Sequence, residues 1–244
     1  MAFDFSKTLS PRERLIFPLD LPDRTLALKY LKLLKNAVGF FKVGLELFTA
    51  EGPDFVKAMR DTAPDAGLFL DLKFHDIPRT VGRAVKSVMR LAPDLLTVHA
   101  QGGKAMLKEA LDNAGGARVL AVTLLTSINP NDIVGIKDEL KTEGKYPLLL
   151  AKSAYDSGVR GIVCSPRELS AMRESLGKDC LLVTPGIRPR WAEVESDDQE
   201  RTGSPQEAIR KGANLLVVGR PIRDHRDPLE AARLTEEEIS LAVS

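Results

Sequence analysis

"FLDLKFHDIP", residues 69–78, sets two carboxylates, a lysine and a histidine directly behind an apolar run. The run reads as a strand buried on both faces, because bulky apolar residues fill consecutive positions instead of alternating with polar ones. The charged tail therefore falls where that strand ends. Seven further runs share this character: "RLIFPLD" (14–20), "VGFFKVG" (38–44), "LLTVHA" (95–100), "RVLAVTLL" (118–125), "RGIVCS" (160–165), "CLLVTPG" (180–186) and "NLLVVGR" (214–220). Between them lie stretches with helical periodicity, among them "RTLALKYLKLLKNA", "FVKAMRDTA", "VGRAVKSVMRLA" and "PLEAARLTEEEISLAVS". Eight alternating strand and helix units predict an α/β fold, a single-domain (β/α)8 TIM barrel, with an open doubly wound sheet as the competing architecture. The polar residues favour the barrel. Asp20, Lys42, Asp71, Lys73, His99, Thr123, Pro185 and Arg220 all fall at or just past strand C-termini, the face where barrel active sites form. No Pro- or Gly-rich linker divides the chain, so residues 1–244 are assigned to one barrel domain, with 1–13 as an N-terminal extension.

Composition narrows the function classes. The 244 residues are 43% hydrophobic and 28% charged with a formal net charge of +1, the balance of a folded globular chain. A surface evolved for nucleic acid or anionic lipid would be more basic. No run approaches the ~18 apolar residues that span a bilayer, and "MAFDFSKTLSPRER" lacks the apolar core of a signal peptide. These features predict a cytoplasmic protein with neither membrane nor nucleic acid as partner. Cys164 and Cys180 lie in apolar strand-like runs and, with three scattered histidines, give no metal-ligand spacing. Buried free thiols are expected there.

In a strand, residues two apart share a face about 6.6 Å apart, so Asp71 and Lys73 would point together into the barrel while Leu72 points away. Lys42, ending the preceding strand, would neighbour them and complete an alternating set of charges. A buried ion cluster is a poor structural device, because desolvation costs several kcal/mol per ion and apolar replacements often stabilise as well. At a barrel mouth such charges point to function. Asp76 stands five residues beyond Asp71, up to about 17 Å away in an extended chain, so either the loop folds back or Asp76 serves a different site. Pro78 disfavours helical geometry at Ile77, which sets the start of the next helix. His75 is read as an orienting or packing residue.

A second cluster follows the last two strands, "TPGIRP" (184–189) and "VVGRPI" (217–222). Barrels often hold a phosphate between these loops. Gly219 would let the backbone approach closely, and Arg220 offers a guanidinium fork for phosphate oxygens. The intervening "RPRWAEVESDDQERTG" is long for such a connection, so the 186–203 segment is either a lid or a plain solvated loop.

Taken together, "DLKFHDIP", the lysine of "FKVG", "LTS" at 125–127, "PGIRP" and "VVGRPI" resemble the orotidine 5′-phosphate decarboxylase family in its bacterial type. The resemblance spans nearly the whole chain and keeps motif order. It implies a Lys-Asp-Lys-Asp array at Lys42, Asp71, Lys73 and Asp76, with Asp76 and Thr80 entering the site of a dimer partner. It further implies that Asp20 and Lys42 meet the ribose hydroxyl region, that Thr126 meets the pyrimidine, and that Arg188, Gln199, Gly219 and Arg220 surround the phosphate. The implied reaction converts orotidine 5′-phosphate to UMP and CO₂ with no metal or organic cofactor. Lys73 would stabilise the carbanion at C6 and then protonate it, with Asp71 near the departing carboxylate. Magnesium-dependent sugar-phosphate relatives share the D-x-K-x-x-D core, but they pair its first Asp with an acidic residue on the preceding strand. Here that strand offers Lys42, and Glu46 lies beyond it. A catalytically silent phosphate-binding barrel would need no such charged array.

Overall fold

The computed structural model describes residues 3–128, 132–133, 135–142, 144–192 and 202–243. Eight parallel strands close into a ring in chain order: β1 (Leu15–Pro18), β2 (Phe40–Gly44), β3 (Gly67–Phe74), β4 (Leu95–His99), β5 (Arg118–Val122), β6 (Gly161–Val163), β7 (Leu181–Thr184) and β8 (Leu215–Val217). The ring closes where Ile16 of β1 pairs with Val217 of β8. This is a (β/α)8 barrel, and the open-sheet alternative is excluded by that pairing. Helices α1 (Arg24–Leu34), α2 (Leu45–Thr62), α3 (Pro78–Val88) and α4 (Gly103–Asn113) follow the first four strands. The later connections carry α5 (Asp138–Lys141) and α6 (Lys145–Asp156), α7 (Leu169–Leu176), α8 (Pro205–Arg210), and α9 (Arg220–Arg223) with α10 (Pro228–Val243).

Local chemistry accounts for the helix boundaries. The Asp23 carboxylate accepts the Leu26 N–H and caps α1, and the Ser204 hydroxyl does the same for Glu207 at α8. Pro78 is the first residue of α3 and Ile77 before it is extended, as a residue preceding proline should be. The apolar pattern predicted only the second half of α2. The helix starts at Leu45 and bends at Gly52, whose φ of 65° and ψ of −162° interrupt it before Pro53. Its first half buries Leu47 alone, too little to leave a periodic signal.

Two apolar layers hold the barrel. One fills the ring with Ile16, Phe40, Phe69, Leu95, Leu120, Val183 and Leu215, and a larger one lies between sheet and helices. Phe40 is fully buried, worth about 1.5–3 kcal/mol by area. Its ring occupies the space where a side chain on Gly67 would stand, so only glycine fits there. Beneath Phe40, Phe3 packs at a tilt and Phe5 stacks, at 4.5 and 6.0 Å between centroids, and the Arg118 guanidinium covers Phe5. The buried Asp94 carboxylate ties this floor together by accepting the N–H groups of Phe3 and Leu68. Residues two further along the same strands face the same way. Phe40, Phe69 and Leu95 of the layer inside the ring thus determine that Lys42, Asp71 and Thr97 face the interior above them. Among the described residues no helix is long and apolar enough to cross a membrane.

Candidate active site

At the C-terminal mouth of the barrel four charged side chains form a chain of contacts. Lys42 Nζ lies 2.8 Å from Asp20 Oδ1 and 3.4 Å from Asp71 Oδ2, and Lys73 Nζ lies 2.9 Å from both oxygens of Asp71. Burial is the strongest single influence on Lys42 and acts to lower its pKa, yet the Asp71 and Asp20 carboxylates outweigh it and the net direction is upward. For Asp71 burial acts to raise the pKa, and Lys42, Lys73 and two hydrogen bonds turn the net direction downward. Each partner therefore secures the charge of the other, and both remain ionised at neutral pH.

The position of Lys73 does not come from simple strand alternation. Between the pairs Leu70↔Leu96 and Phe74↔Val98 the register shifts, so β3 spends four residues where β4 spends two. Lys73 lies in this bulge with φ 47°, a left-handed conformation that costs a non-glycine residue roughly 1–2 kcal/mol. Its backbone N–H donates to Thr97 Oγ at 2.9 Å, and the Thr97 hydroxyl donates in turn to Asp71 Oδ1 at 2.9 Å.

The array forms one wall of a cavity of about 320 Å³ that continues across the barrel mouth. The middle is apolar, with Phe69, Val122, Leu124 and Val163, and carries Thr126, Ser127 and Ser165 at its edge. The lining is completed by Gly186, Arg188, Gly219, Arg220 and Arg223, from the connections after β7 and β8. A side chain on Gly219 would meet Pro18 Cγ at 2.9 Å, so this part of the lining is bare backbone beside a guanidinium. The feet of the β7–α8 connection are pinned together: Ile187 bridges Gly203, Arg188 N–H donates to Gly203 O at 2.9 Å and Gly203 N–H to Gly186 O at 3.2 Å. A cavity with a charged array at one end, an apolar middle and cationic groups at the other suits a flat ring tethered to a phosphate.

Comparison with known proteins bears on the chemistry. Residues 13–235 match the family described as orotidine 5′-phosphate decarboxylase / HUMPS. The chain belongs to that family. It is 44% identical over 241 residues to the orotidine 5′-phosphate decarboxylase of Desulfosudis oleivorans, covering 97% of each chain. It is 46% identical over 228 residues to the enzyme of the same name from Anaeromyxobacter sp., covering 92% of this chain and 97% of that one. The crystal structure of orotidine 5′-phosphate decarboxylase from Lactobacillus acidophilus superposes with a TM-score of 0.76 at 37% identity, over 92% of this chain and 98% of that one.

Within this decarboxylase-family barrel the residues singled out by sequence fall into three groups. Asp20, Lys42, Asp71, Lys73, Thr126, Arg188, Gly219 and Arg220 all line the cavity. Asp76 and Thr80 do not: both are exposed, and the Asp76 carboxylate accepts the neighbouring Ile77 N–H at 2.6 Å. Gln199 lies outside the described residues, as does most of the acidic run before it. His75 is exposed, with its ring 5.2 Å from that of His99. Burial, then His75 and Lys73, lower the His99 pKa, which favours its neutral ring beside the array. Trp191 packs on the core with its ring edge to His225. Cys164 and Cys180 are free and buried, and burial pushes the Cys180 thiol up to about 11. Sequence reasoning missed Thr97, Ser127, Ser165 and Arg223. Thr97 left one faint signal, a polar residue two before His99 in an otherwise apolar run.

As to a metal, no group of three or more His, Cys, Asp or Glu among the described residues could hold one. Asp20 and Asp71, the two carboxylates that line the cavity, are bridged by the Lys42 ammonium. That cation stands where a divalent ion would have to bind. Glu46 is exposed on α2.

Proposed function

We propose that this chain is a carboxy-lyase that converts orotidine 5′-phosphate to UMP and CO₂, the last step of de novo UMP synthesis, without metal or organic cofactor. The observation that carries the reading is the Asp20–Lys42–Asp71–Lys73 chain of charges facing an apolar slot that ends in Arg188 and Arg220. In this reading the phosphate meets Arg188, Arg220 and the bare backbone at Gly219, with Gln199 as a further ligand. The ribose hydroxyls meet Asp20 and Lys42, and the pyrimidine lies across the slot beside Thr126. The C6–carboxylate bond breaks toward Asp71, its electron pair stays on C6, and the Lys73 ammonium donates a proton there to give UMP. Lys73 then recovers a proton from solvent.

An ammonium about 4 Å from the developing carbanion contributes roughly 4 kcal/mol at an effective dielectric of 20. Enzymatic barrier reductions run to ~8–23 kcal/mol, so the rest comes from the preorganised array and from binding energy at the phosphate and ribose. A nucleotide phosphate carries its charge poorly across a bilayer, which supports a cytoplasmic enzyme. The direct test is loss of orotidine 5′-phosphate absorbance in excess EDTA. Turnover that survives chelation is expected, whereas a folded chain without turnover would redirect the reading to magnesium-dependent sugar phosphates.

The active unit in this reading is a homodimer in which Asp76 and Thr80 complete the partner's site. Support comes from the exposure of both residues outside their own cavity and from the apolar Ile77 between them, which is 68% exposed. Coexpression of Lys73→Ala and Asp76→Ala chains tests this. Each variant homodimer is expected to be inactive, while random mixing gives hybrid dimers with one intact site and restores about a quarter of native activity. Proven mixing without recovery would refute shared sites.

A further inference from the structure

Thr97 lies on β4, one strand away from the lysine and aspartate it touches. It is fully buried, and its hydroxyl makes two hydrogen bonds: it accepts the backbone N–H of Lys73 and donates to Asp71 Oδ1. The first bond replaces a ladder bond that the β3–β4 register shift removes, because a bulged residue loses its partner on the neighbouring strand. The second spends the hydroxyl proton on the carboxylate that also takes Lys73 Nζ. One oxygen thus ties the backbone of Lys73, in its left-handed conformation, to the counter-ion of the same lysine's side chain.

We propose that Thr97 is a positioning residue of the reaction, fixing the place of the Lys73 ammonium relative to Asp71 through this paired hydrogen bond. The inference rests on the decarboxylase reading for its consequence in rate, but not for the geometry. Regular extended backbone at residue 73 would change the Cα–Cβ direction and shift the ammonium from its present place on Asp71. A backbone conformation that is unfavourable by itself persists only where its surroundings over-determine it, and the Thr97 hydroxyl is the bond that holds this one. Displacement of a reacting group by about 1 Å is enough for a rate loss of order 10²-fold.

The Thr97→Ser and Thr97→Ala variants differ from each other by the hydroxyl alone, so their ratio isolates it from packing. Thr97→Ser is expected to keep kcat within about threefold of the native chain, and Thr97→Ala to lose about 10²-fold in kcat with KM little changed. Equal kcat in the two variants would overturn the proposal, as would an Ala variant that loses affinity instead of rate. A second measurement needs no substrate: amide exchange at Lys73, read by NMR, should stay slow in the native and Ser chains and accelerate at least about tenfold in the Ala chain. Exchange that is equally slow in all three would show that the hydroxyl does not hold the bulge. The native chain turning over no orotidine 5′-phosphate would refute the functional reading instead, and the exchange comparison would still decide the role of Thr97 in the bulge.

Discussion

Lys73→Ala is expected to lower kcat/KM for orotidine 5′-phosphate by about 10⁵-fold or more while leaving a folded barrel. Two losses combine. Removing an ammonium about 4 Å from the carbanion forfeits roughly 4 kcal/mol, or about 10³-fold. Removing the proton donor forfeits a further ~10²–10⁴-fold. The variant should still bind UMP, because Arg188 and Arg220 of the cavity lining come from the connections after β7 and β8, whereas Lys73 lies near the end of β3. Retention of binding by calorimetry with loss of turnover by absorbance is the expected pattern. A Lys73→Ala chain within tenfold of native rate would remove Lys73 from the chemistry.

The second large effect is on stability. Asp71→Ala would leave the Lys42 ammonium buried with only the exposed Asp20 as partner, and would free Lys73 from its counter-ion. Taking one member from a buried ion pair typically costs 3–5 kcal/mol, which for a chain of this size is a drop in Tm of about 10 °C. The pH dependence follows from the directions of the shifts. The Asp71 pKa is lowered from 3.8, so its contribution is complete above that value and is lost as pH falls through the lower folded-state value. The Lys42 pKa is raised from 10.5, so its contribution is complete below that value and lost as pH rises through the higher one. The stability gap between native and Asp71→Ala chains should therefore be flat from about pH 5 to 9 and narrow in strong acid and again in strong alkali. Denaturant titrations at pH 7 and pH 3 measure it. A gap that closes near pH 6 would mean that Asp71 is not held ionised by the two lysines.

The barrel was legible because all-parallel strands are buried on both faces, and runs such as "RLIFPLD" and "NLLVVGR" carry that burial in plain apolar sequence. The array was legible for the same reason: Lys42 and Asp71 are charges in positions that the run itself declares interior. What escaped depended on relations between segments. The bulge at Lys73 is set by how β3 pairs with β4, and alternation along one strand carries no trace of it. Strict alternation did bring Asp71 and Lys73 together, but through a geometry other than the real one. Thr97 escaped because a β-branched residue in a strand reads as ordinary filling, and only its neighbours from β3 reveal the two hydrogen bonds. The first half of α2 escaped because a helix that buries one side chain leaves no period to count.

The aromatic floor built from Phe3, Phe5 and Phe40 has a consequence for how the chain tolerates change. The charged wall at the mouth is costly to the folded state, since its ions are desolvated and one residue is held in an unfavourable conformation. The floor, at the opposite end of the same strands, is built of aromatic rings in mutual contact, away from the charged array. Cohesion and reactivity are thus housed at separate ends of one set of strands. Sequence drift at the floor is free to raise or lower robustness without retuning the chemistry, and drift at the mouth can explore new substrates on the margin that the floor supplies.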